Sequence, residues 1–209
     1  MSFNDEIVLK ISLLGSTGVG KESIMDRYLN NKFISDSLDV SPKIGFDFKT
    51  KYFKFDDKKI KFHFINTAGH EKFRSIAFNY LKGLNGIIFV FDLTDIETFN
   101  LIQNWRYDFI EKNQKNISKI LLGNKSDLIN ERNVNKEEAE KLANELGCKY
   151  YEVSAKTGEN ILEALNDIVE LTYHQYKNLK DSEKGNSISI SADSSNTNNG
   201  KTKKKKKCF

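Results

Sequence analysis

Short apolar runs alternate along the chain with segments whose apolar residues recur at helical spacing. Residues 7–14, 86–93 and 120–122 are nearly continuous apolar runs, which indicates strands buried on both faces. Residues 97–112 instead carry apolar side chains at every third or fourth position, which is typical of a helix that packs one side on a sheet. Because strands alternating with helices form βαβ units, the pattern predicts an α/β fold with a mostly parallel sheet and helices on both faces.

A β-hairpin is predicted between the first helix and the second apolar run. Residues 46–55 and 59–65 alternate between apolar and polar positions, and the polar residues 56–58 join them. The pattern also predicts helices at residues 24–29 and 73–84, a loop at 32–45, and a last strand at 150–153.

Two later helices show sequence signals at their starts. Asn135 is followed three residues later by Glu138, and Asn160 by Glu163, which resembles the reciprocal capping box. We therefore expect one helix that ends at Leu146 and a last helix that begins after Asn160.

Composition separates a folded domain from a tail. Residues 1–179 have the mixed composition of one domain, whereas residues 180–209 are rich in Ser, Asn, Lys and Gly without periodicity, which predicts a disordered tail. Six lysines in the last nine residues exceed the net charge of +4, so the rest of the chain carries −2. The domain has no basic surplus that would favour nucleic-acid binding.

Cysteine usage and the chain ends indicate where the protein acts. Cys148 and Cys208 are far apart and predict no disulfide framework, so we expect a cytoplasmic protein with no signal peptide or membrane span. Lysines 203–207 followed by Cys208 indicate a tether in which a lipid on the cysteine and an anionic membrane under the lysines act together. The cytosolic face of endomembranes or of the plasma membrane would then hold the protein. The alternative is a solvated charge run beside an unmodified cysteine.

A glycine-rich turn follows the first apolar run and precedes a helical segment. It reads Gly15-Ser16-Thr17-Gly18-Val19-Gly20-Lys21-Glu22-Ser23 and matches the P-loop pattern G-x-x-x-x-G-K-[ST], except that Glu22 replaces the Ser or Thr. Glycines let several backbone N–H groups point into one concavity, and the helix dipole and Lys21 add positive charge. Residues 15–23 therefore predict a polyphosphate site, although this match alone also fits a chance glycine-rich turn.

Two further polar loops follow later strands. They read Asn124-Lys125-Ser126-Asp127 and Ser154-Ala155-Lys156, and both would meet the glycine-rich turn at the carboxyl edge of a parallel sheet. The Asp127 carboxylate can accept the two adjacent donors of guanine, N1–H and the exocyclic amine. Adenine lacks those donors and would leave the carboxylate unpaired, at about 1–3 kcal/mol. The three loops together resemble the guanine-specificity motifs of small GTPases, and this resemblance implies a site for GDP and GTP.

The resemblance extends beyond these motifs. Residues 44–48, 61–76 and 86–95 resemble Rab-family segments one after another, so that residues 5–175 are similar to a Rab small GTPase. The resemblance implies the P-loop small G-protein fold with six strands and five helices, and a role in vesicle and protein transport. It implies effector and regulatory proteins bound through residues 33–48 and 66–80.

The same resemblance assigns roles to single residues. Asn124 would tie its loop to the P-loop, Lys125 and Lys156 would lie along the two faces of the base, and the backbone N–H near Ala155 would meet the guanine carbonyl. It adds the following residues to the nucleotide-binding set: Asn66, Thr67, Ala68, Gly69 and His70.

The departures from the family concentrate on its magnesium and hydrolysis positions. Glu22, Lys43 and Asn66 stand where the family holds Mg²⁺, and His70 replaces the glutamine that orients the attacking water. We therefore expect no metal site and weak or absent GTP hydrolysis. Glu22 and Lys43 have opposite charges, which predicts an ion pair where the metal would lie; Lys43 contacting a terminal phosphate is the alternative.

Three functions remain open on the sequence alone. The first is a conventional switch that cycles between GTP and GDP with measurable hydrolysis. The second is a Rab-like binding protein whose state is set by nucleotide or partners without hydrolysis. The third, a P-loop kinase or ATPase, is disfavoured by the guanine motifs and by Glu22.

Overall fold

The computed structural model describes residues 6–33, 46–67, 83–111 and 117–190, which form six strands and four α-helices. The strands are β1 (Val8–Leu14), β2 (Phe46–Phe55), β3 (Lys58–Thr67), β4 (Gly86–Asp92), β5 (Ser118–Asn124) and β6 (Lys149–Glu152). The helices are α1 (Lys21–Asn30), α2 (Ile96–Glu111), α3 (Lys136–Leu146) and α4 (Ile161–Ile190), with a short 3-10 helix at Ile129–Glu131. No helix within these ranges is long and apolar enough to cross a membrane.

The strands form one sheet in the order β2-β3-β1-β4-β5-β6. β2 runs antiparallel to β3, and all other pairings are parallel. The register places Leu13 beside Asn66 and Asp92 beside Asn124, so the carboxyl ends of β1, β3, β4 and β5 lie along one edge. The predicted α/β fold with a six-stranded, mostly parallel sheet is confirmed.

Helices cover both faces of this sheet. On one face, Phe91 of β4 meets Phe99 of α2 edge to face at 5.1 Å between ring centroids, and α3 joins the same apolar cluster. On the other face, Tyr28 of α1 meets Phe64 of β3 at 5.8 Å, and Tyr173 of α4 stacks on a β2 phenylalanine. All seven residues of β4 are buried as a result, which explains its continuous apolar run.

The predicted β2–β3 hairpin is present and has a tight turn; alternate residues of β3 (Ile60, Phe62 and Phe64) are buried, whereas Phe48 and Tyr52 of β2 are exposed. Phe55 pairs with Lys58, so only Asp56 and Asp57 form the loop. Both have positive φ angles, 46° and 62°, as a two-residue turn that matches the strand twist requires. Aspartate tolerates this left-handed conformation better than most residues, because its short side chain can bond locally.

Neither predicted capping box forms through the side chain of its asparagine. Asn135 is the N-cap of α3, but its side chain makes no capping hydrogen bond. Asn160 has a φ of 54°, and its Nδ2 donates to the carbonyl oxygen of Glu152 at 2.8 Å. The prediction that Asn160 caps α4 with its side chain is therefore wrong, because its backbone lacks the extended conformation of a side-chain cap and its side chain is turned toward the end of β6.

The chain divides into two units, residues 1–175 and 176–209. In the second unit, residues 176–190 are helical, which differs from the disordered tail predicted from residue 180. Lys180 forms an ion pair with Glu183 at 3.0 Å, and the Ser182 hydroxyl donates to the Asn178 carbonyl oxygen. These contacts between successive turns stabilise a helix that the composition of the segment does not predict. The boundary at residue 179 stays a prediction.

Several predicted features lie outside the described residues. These are most of the loop at 32–45 and of the helix at 73–84, the residues Lys43, Ala68, Gly69 and His70, the lysines at 203–207, and Cys208.

Candidate functional site

Residues 15–20, the phosphate loop, form the turn between β1 and α1. Gly20 is the N-cap of α1 at a φ of 89°, a left-handed conformation that residues with a Cβ rarely adopt. Gly15 lies so close to the carbonyl oxygen of Val90 that a Cβ there would overlap it. The loop therefore passes tightly over β4 and leads into the first turn of α1, where backbone N–H groups have no helical partners.

Lys21 is the buried cation of this loop. Its Nζ donates to the carbonyl oxygens of Gly15 at 2.9 Å and Ser16 at 2.7 Å, and only 6% of the residue is exposed. Burial lowers the pKa of Lys21 from 10.5 to about 8. At pH 7 the Lys21 ammonium group is therefore still charged, although it is poorly solvated. An anion bound at the loop would stabilise this charge.

Asn124 joins the phosphate loop to residues 154–156, the SAK loop. Its Nδ2 donates to the carbonyl oxygen of Val19 at 2.8 Å, and its Oδ1 accepts from the Ala155 N–H at 3.1 Å. Both bonds are buried, as is the side chain, which is 2% exposed. A Cβ at position 20 would overlap the Asn124 amide, so this contact is a second reason why residue 20 is a glycine. The expected connection between Asn124 and the P-loop is present.

The Asp127 carboxylate is held at the same edge of the sheet. Ser154 Oγ donates to Asp127 Oδ1 at 2.6 Å, and Lys156 Nζ lies 3.8 Å from Oδ2. The Thr157 N–H donates in turn to Ser154 Oγ at 3.0 Å and fixes that hydroxyl. A carboxylate has about four lone-pair positions, so these contacts leave Asp127 able to accept two further hydrogen bonds.

Lys125 connects the 124–127 loop to the end of β4. It has a φ of 69°, and its Nζ lies 2.5 Å from Asp92 Oδ2. The other carboxylate oxygen of Asp92 accepts from the backbone N–H and the hydroxyl of Thr94, at 2.9 Å and 2.7 Å. The lysine stem is therefore held in place at its far end. Its contact with a base stays a prediction, and so does that of Lys156.

Arg27 of α1 is a site residue that sequence reasoning missed. Its Nε donates to the carbonyl oxygen of Ala155 at 2.9 Å, and its Nη2 donates to that of Lys156 at 2.6 Å. No motif signals this contact, because the two partners are about 130 positions away in sequence and use only backbone atoms.

The positions that replace the family's metal ligands are only partly described. Glu22 is half-buried in the first turn of α1. Asn66 lies near the end of β3, and its Oδ1 is buried without a hydrogen-bond partner among the described residues. Within those residues, no group of three or more His, Cys, Asp or Glu could hold a metal ion.

The loops expected to contact partner proteins are described at their edges. Of residues 33–48, Phe33 is 40% and Phe48 is 64% exposed, which is unusual for phenylalanine. Of residues 66–80, only Asn66 and Thr67 are described. The proposed use of these segments as docking surfaces stays a prediction.

Comparison with known proteins agrees with this arrangement of loops. A sequence model of the Ras family matches residues 10–174. Ras-related protein Rab-13 of Mesocricetus auratus is 38% identical over 161 residues, which cover 77% of this chain and 78% of that protein. Ras-related protein Rab-8B of Homo sapiens is 38% identical over 159 residues, 76% of this chain and 75% of that protein. Ras-related protein RABD2b of Arabidopsis thaliana is 36% identical over 159 residues, 76% and 77% respectively.

Proposed function

The chain belongs to the Ras family and, within it, to the Rab small GTPases, and we propose that it binds GDP and GTP but hydrolyses GTP slowly or not at all. As a Rab-family member it is a GTP-binding protein of vesicle transport. The proposal concerns how this chain handles the nucleotide. Its guanine-binding residues match the family, whereas its metal and hydrolysis positions do not.

The connection made by Asn124 is the observation that carries guanine-nucleotide binding. A nucleotide must place its phosphates and its base in two loops at once, so the loops need a fixed separation. Asn124 bonds the Val19 carbonyl in one loop and the Ala155 N–H in the other, at 2.8 Å and 3.1 Å in a buried setting. Two loops joined in this way are preorganised, and binding then costs less ordering entropy.

Asp127 supports selection of guanine over adenine. Ser154 Oγ holds one of its oxygens at 2.6 Å, and the side chain is 15% exposed. The carboxylate offers only acceptors, so a base with two adjacent donors satisfies it and a base without them leaves it unpaired. The unpaired state costs about 1–3 kcal/mol, which corresponds to roughly tenfold to a hundredfold in affinity.

Phosphates would be held by Lys21 and by the first turn of α1. The lysine already bonds the loop carbonyls of Gly15 and Ser16, so it is oriented before an anion arrives. The helix dipole and the unpaired N–H groups of the first turn favour negative charge at the same place. Glu22 opposes this effect, because a carboxylate near the phosphates repels them unless a cation neutralises it.

The residues do not fit the magnesium ion that the family uses. Mg²⁺ takes hard oxygen ligands, mostly carboxylates and phosphates, and here an amide, Asn66, replaces a carboxylate. The Asn66 Oδ1 carries no negative charge to offset a dication, and a lysine, Lys43, stands at another ligand position. No step of the proposed function therefore uses a metal.

An ion pair between Glu22 and Lys43 would replace that ion. Glu22 stands in the first turn of α1, so a lysine from the segment that follows this helix could reach it beside the phosphates. Such a pair would neutralise the carboxylate and close the first switch segment without metal. Lys43 in direct contact with a terminal phosphate is the alternative arrangement.

Slow hydrolysis follows from the same replacements. Without a metal, the transferred phosphoryl group lacks the dication that would stabilise its developing charge, and Lys21 adds only a single charge. His70 stands in the place of the water-orienting glutamine, and its rigid ring holds donor and acceptor in different positions from those of the amide, so it fits that role less well. We infer a protein whose state depends on which nucleotide is bound and on its partners. A conventional cycling GTPase is the alternative.

Membrane attachment and partner binding complete the proposal. We propose that Cys208 carries a lipid and that lysines 203–207 bind an anionic leaflet, at about 1 kcal/mol per lysine. One lipid chain alone binds marginally, so both signals are needed. Effector and regulatory proteins would bind residues 33–48 and 66–80.

Competition binding on the purified full-length chain tests the guanine claim. Labelled GDP is displaced by unlabelled GDP, GTP, ADP and ATP in separate titrations. We expect both guanine nucleotides to compete and the adenine nucleotides to be weaker by at least about tenfold. Equal displacement by ATP and GTP would refute the proposed base selection.

A further inference from the structure

Arg27 binds two successive carbonyl groups of the SAK loop from the side of α1. Its Nε donates to the Ala155 oxygen at 2.9 Å, and its Nη2 donates to the Lys156 oxygen at 2.6 Å. A guanidinium is planar and presents its donors in a rigid fork, so two bonds from one side chain fix the orientation of both carbonyls.

The arginine packs beneath a loop that is itself closely constrained. Ala155 is 3% exposed, so its carbonyl depends on a protein donor. Gly158 has a φ of 90°, and a Cβ there would come within 3.5 Å of Arg27 Cδ, so the loop turns directly over the arginine stem. Arg27 therefore supports the SAK loop from the side of α1.

Because each peptide group is planar, holding these two carbonyls also sets the direction of the N–H groups that follow them. In a trans peptide the C=O of one residue and the N–H of the next point in opposite directions in one plane. Arg27 holds the Lys156 carbonyl, and the Thr157 N–H of that peptide points away to Ser154 Oγ at 3.0 Å. By the same geometry, holding the Ala155 carbonyl aims the Lys156 N–H away from α1.

The neighbouring amides are already in use. The Ala155 N–H donates to Asn124 Oδ1 at 3.1 Å, and the Thr157 N–H donates to Ser154 Oγ. The Lys156 N–H is the remaining amide of this turn, and Arg27 fixes its direction. A guanine base held by Asp127 presents its carbonyl next to the donors that the carboxylate accepts.

We propose that Arg27 is a positioning residue for the guanine carbonyl, which it serves by aiming the Lys156 N–H. This inference rests on the proposed binding of guanine nucleotides. It also assigns α1 two tasks, because Lys21 begins the helix and Arg27 lies about 9 Å further along it, at 1.5 Å per residue. One rigid helix thus sets the distance between the phosphate loop and the SAK loop.

The test compares GDP with 6-thio-GDP, in which sulfur replaces the carbonyl oxygen. Sulfur is a weak hydrogen-bond acceptor, so the affinity ratio of the two nucleotides reports the N–H contact alone. The affinity ratio of GDP to IDP, which lacks the exocyclic amine, reports the contact of the base with the Asp127 carboxylate instead. Both ratios are measured on the full-length wild type and on Arg27→Met, which keeps most of the stem and removes the donors.

The matched control is Arg132→Met. Arg132 is also a forked arginine, with bonds to the Val134 carbonyl and to the Glu152 carboxylate, but it makes none of its bonds to residues 154–156. Arg27→Lys keeps the charge but lacks the planar fork that fixes the orientation of both carbonyls. It also carries the test if Arg27→Met fails to fold.

We expect Arg27→Met to lower the preference for GDP over 6-thio-GDP about tenfold, the value of one net hydrogen bond, and Arg27→Lys to lower it less. The GDP-to-IDP ratio should change by less than about twofold, and Arg132→Met should leave both ratios unchanged. If the first ratio is unchanged in Arg27→Met, or if both ratios fall together, the positioning role is refuted.

Amide hydrogen exchange separates this inference from the proposed function. In the nucleotide-free chain, Lys156 and Thr157 should exchange faster in Arg27→Met than in Arg132→Met. A wild type that binds no GDP refutes the proposed function, and the exchange comparison then still decides whether Arg27 orders the loop. Equal exchange in the two variants refutes the ordering itself.

Discussion

Replacing Asn124 by aspartate reverses one bond of the connection between the two nucleotide loops while keeping the size of the side chain. In the wild type, the Asn124 Nδ2 donates to the Val19 carbonyl oxygen at 2.8 Å, and Oδ1 accepts from the Ala155 N–H at 3.1 Å. In Asn124→Asp, the second bond survives. The first becomes a contact between two oxygens, one of which carries charge.

The structure gives the size of the effect. The Val19 carbonyl loses its donor in a buried position, which costs about 1–3 kcal/mol. The new carboxylate is buried, and its desolvation costs several kcal/mol more before relaxation. We expect Asn124→Asp to lower the free energy of unfolding by about 3–5 kcal/mol, a large part of the roughly 5–15 kcal/mol of a typical domain.

Asn133→Asp is the matched control. The Asn133 Nδ2 donates to the Thr94 carbonyl oxygen at 2.6 Å, which is the same chemistry, but this residue is exposed. Water can separate the two oxygens there, so we expect a loss below about 1 kcal/mol. Only Asn124→Asp should also weaken GDP binding, because only that variant breaks the hydrogen bond between residue 124 and the phosphate loop.

Urea unfolding at pH 7.5 and pH 5 measures both variants. Burial raises the pKa of the introduced carboxyl group, so the folded state binds an extra proton as the pH falls. Once it is protonated, this carboxyl group can donate to the Val19 carbonyl oxygen, and the destabilisation of Asn124→Asp should therefore shrink at pH 5. Equal losses in the two variants at pH 7.5 would show that Asn124 does not join the loops as described.

Three further predictions concern single residues. Burial lowers the pKa of Lys21 from 10.5 to about 8 in the folded chain, so the unfolded chain binds more protons between pH 8 and 10.5. The free energy of unfolding of the nucleotide-free wild type, relative to that of Lys21→Met, should therefore rise over that range by up to about 3 kcal/mol. A difference that stays constant with pH in urea unfolding would contradict the burial of the charge. Asp127→Asn replaces an acceptor with a donor and should shift preference from guanine to xanthine nucleotides, so a GDP-to-XDP ratio equal to that of the wild type would count against base reading by Asp127. Cys208→Ser should release the protein from cell membranes, and an unmodified Cys208 in the intact mass of the native protein would rule out the lipid tether.

The sheet and its order of elements were predictable because periodicity reports burial directly. β4 is apolar throughout most of its length and buried throughout, and alternate residues of β3 (Ile60, Phe62 and Phe64) are buried, as in a half-buried strand. Local side-chain bonds were less predictable. Asn160 has the spacing of a capping residue, but its amide bonds the Glu152 carbonyl, because a contact across the fold competes with the local one.

The motif residues of the site were predictable from the sequence, but the residues that hold the motif loops in place were not. The family resemblance implied the contact of Asn124 with the phosphate loop, and the sheet makes it possible, since the carboxyl ends of parallel strands share one edge. Arg27 could not be found in this way. Its partners are backbone carbonyls of Ala155 and Lys156, which any sequence could supply, so only the folded chain reveals that α1 passes beneath that loop.

Nucleotide release and GTP turnover, each measured with Mg²⁺ and with EDTA, test the central claim most directly. The wild type is compared with the triple reversion Glu22→Ser, Lys43→Thr and Asn66→Asp, which restores the family's metal positions. We predict that EDTA scarcely changes GDP release from the wild type and that GTP turnover is very slow in both buffers, whereas the reverted chain becomes magnesium-dependent. A wild type that releases GDP on EDTA treatment and hydrolyses GTP faster with Mg²⁺ would contradict the account.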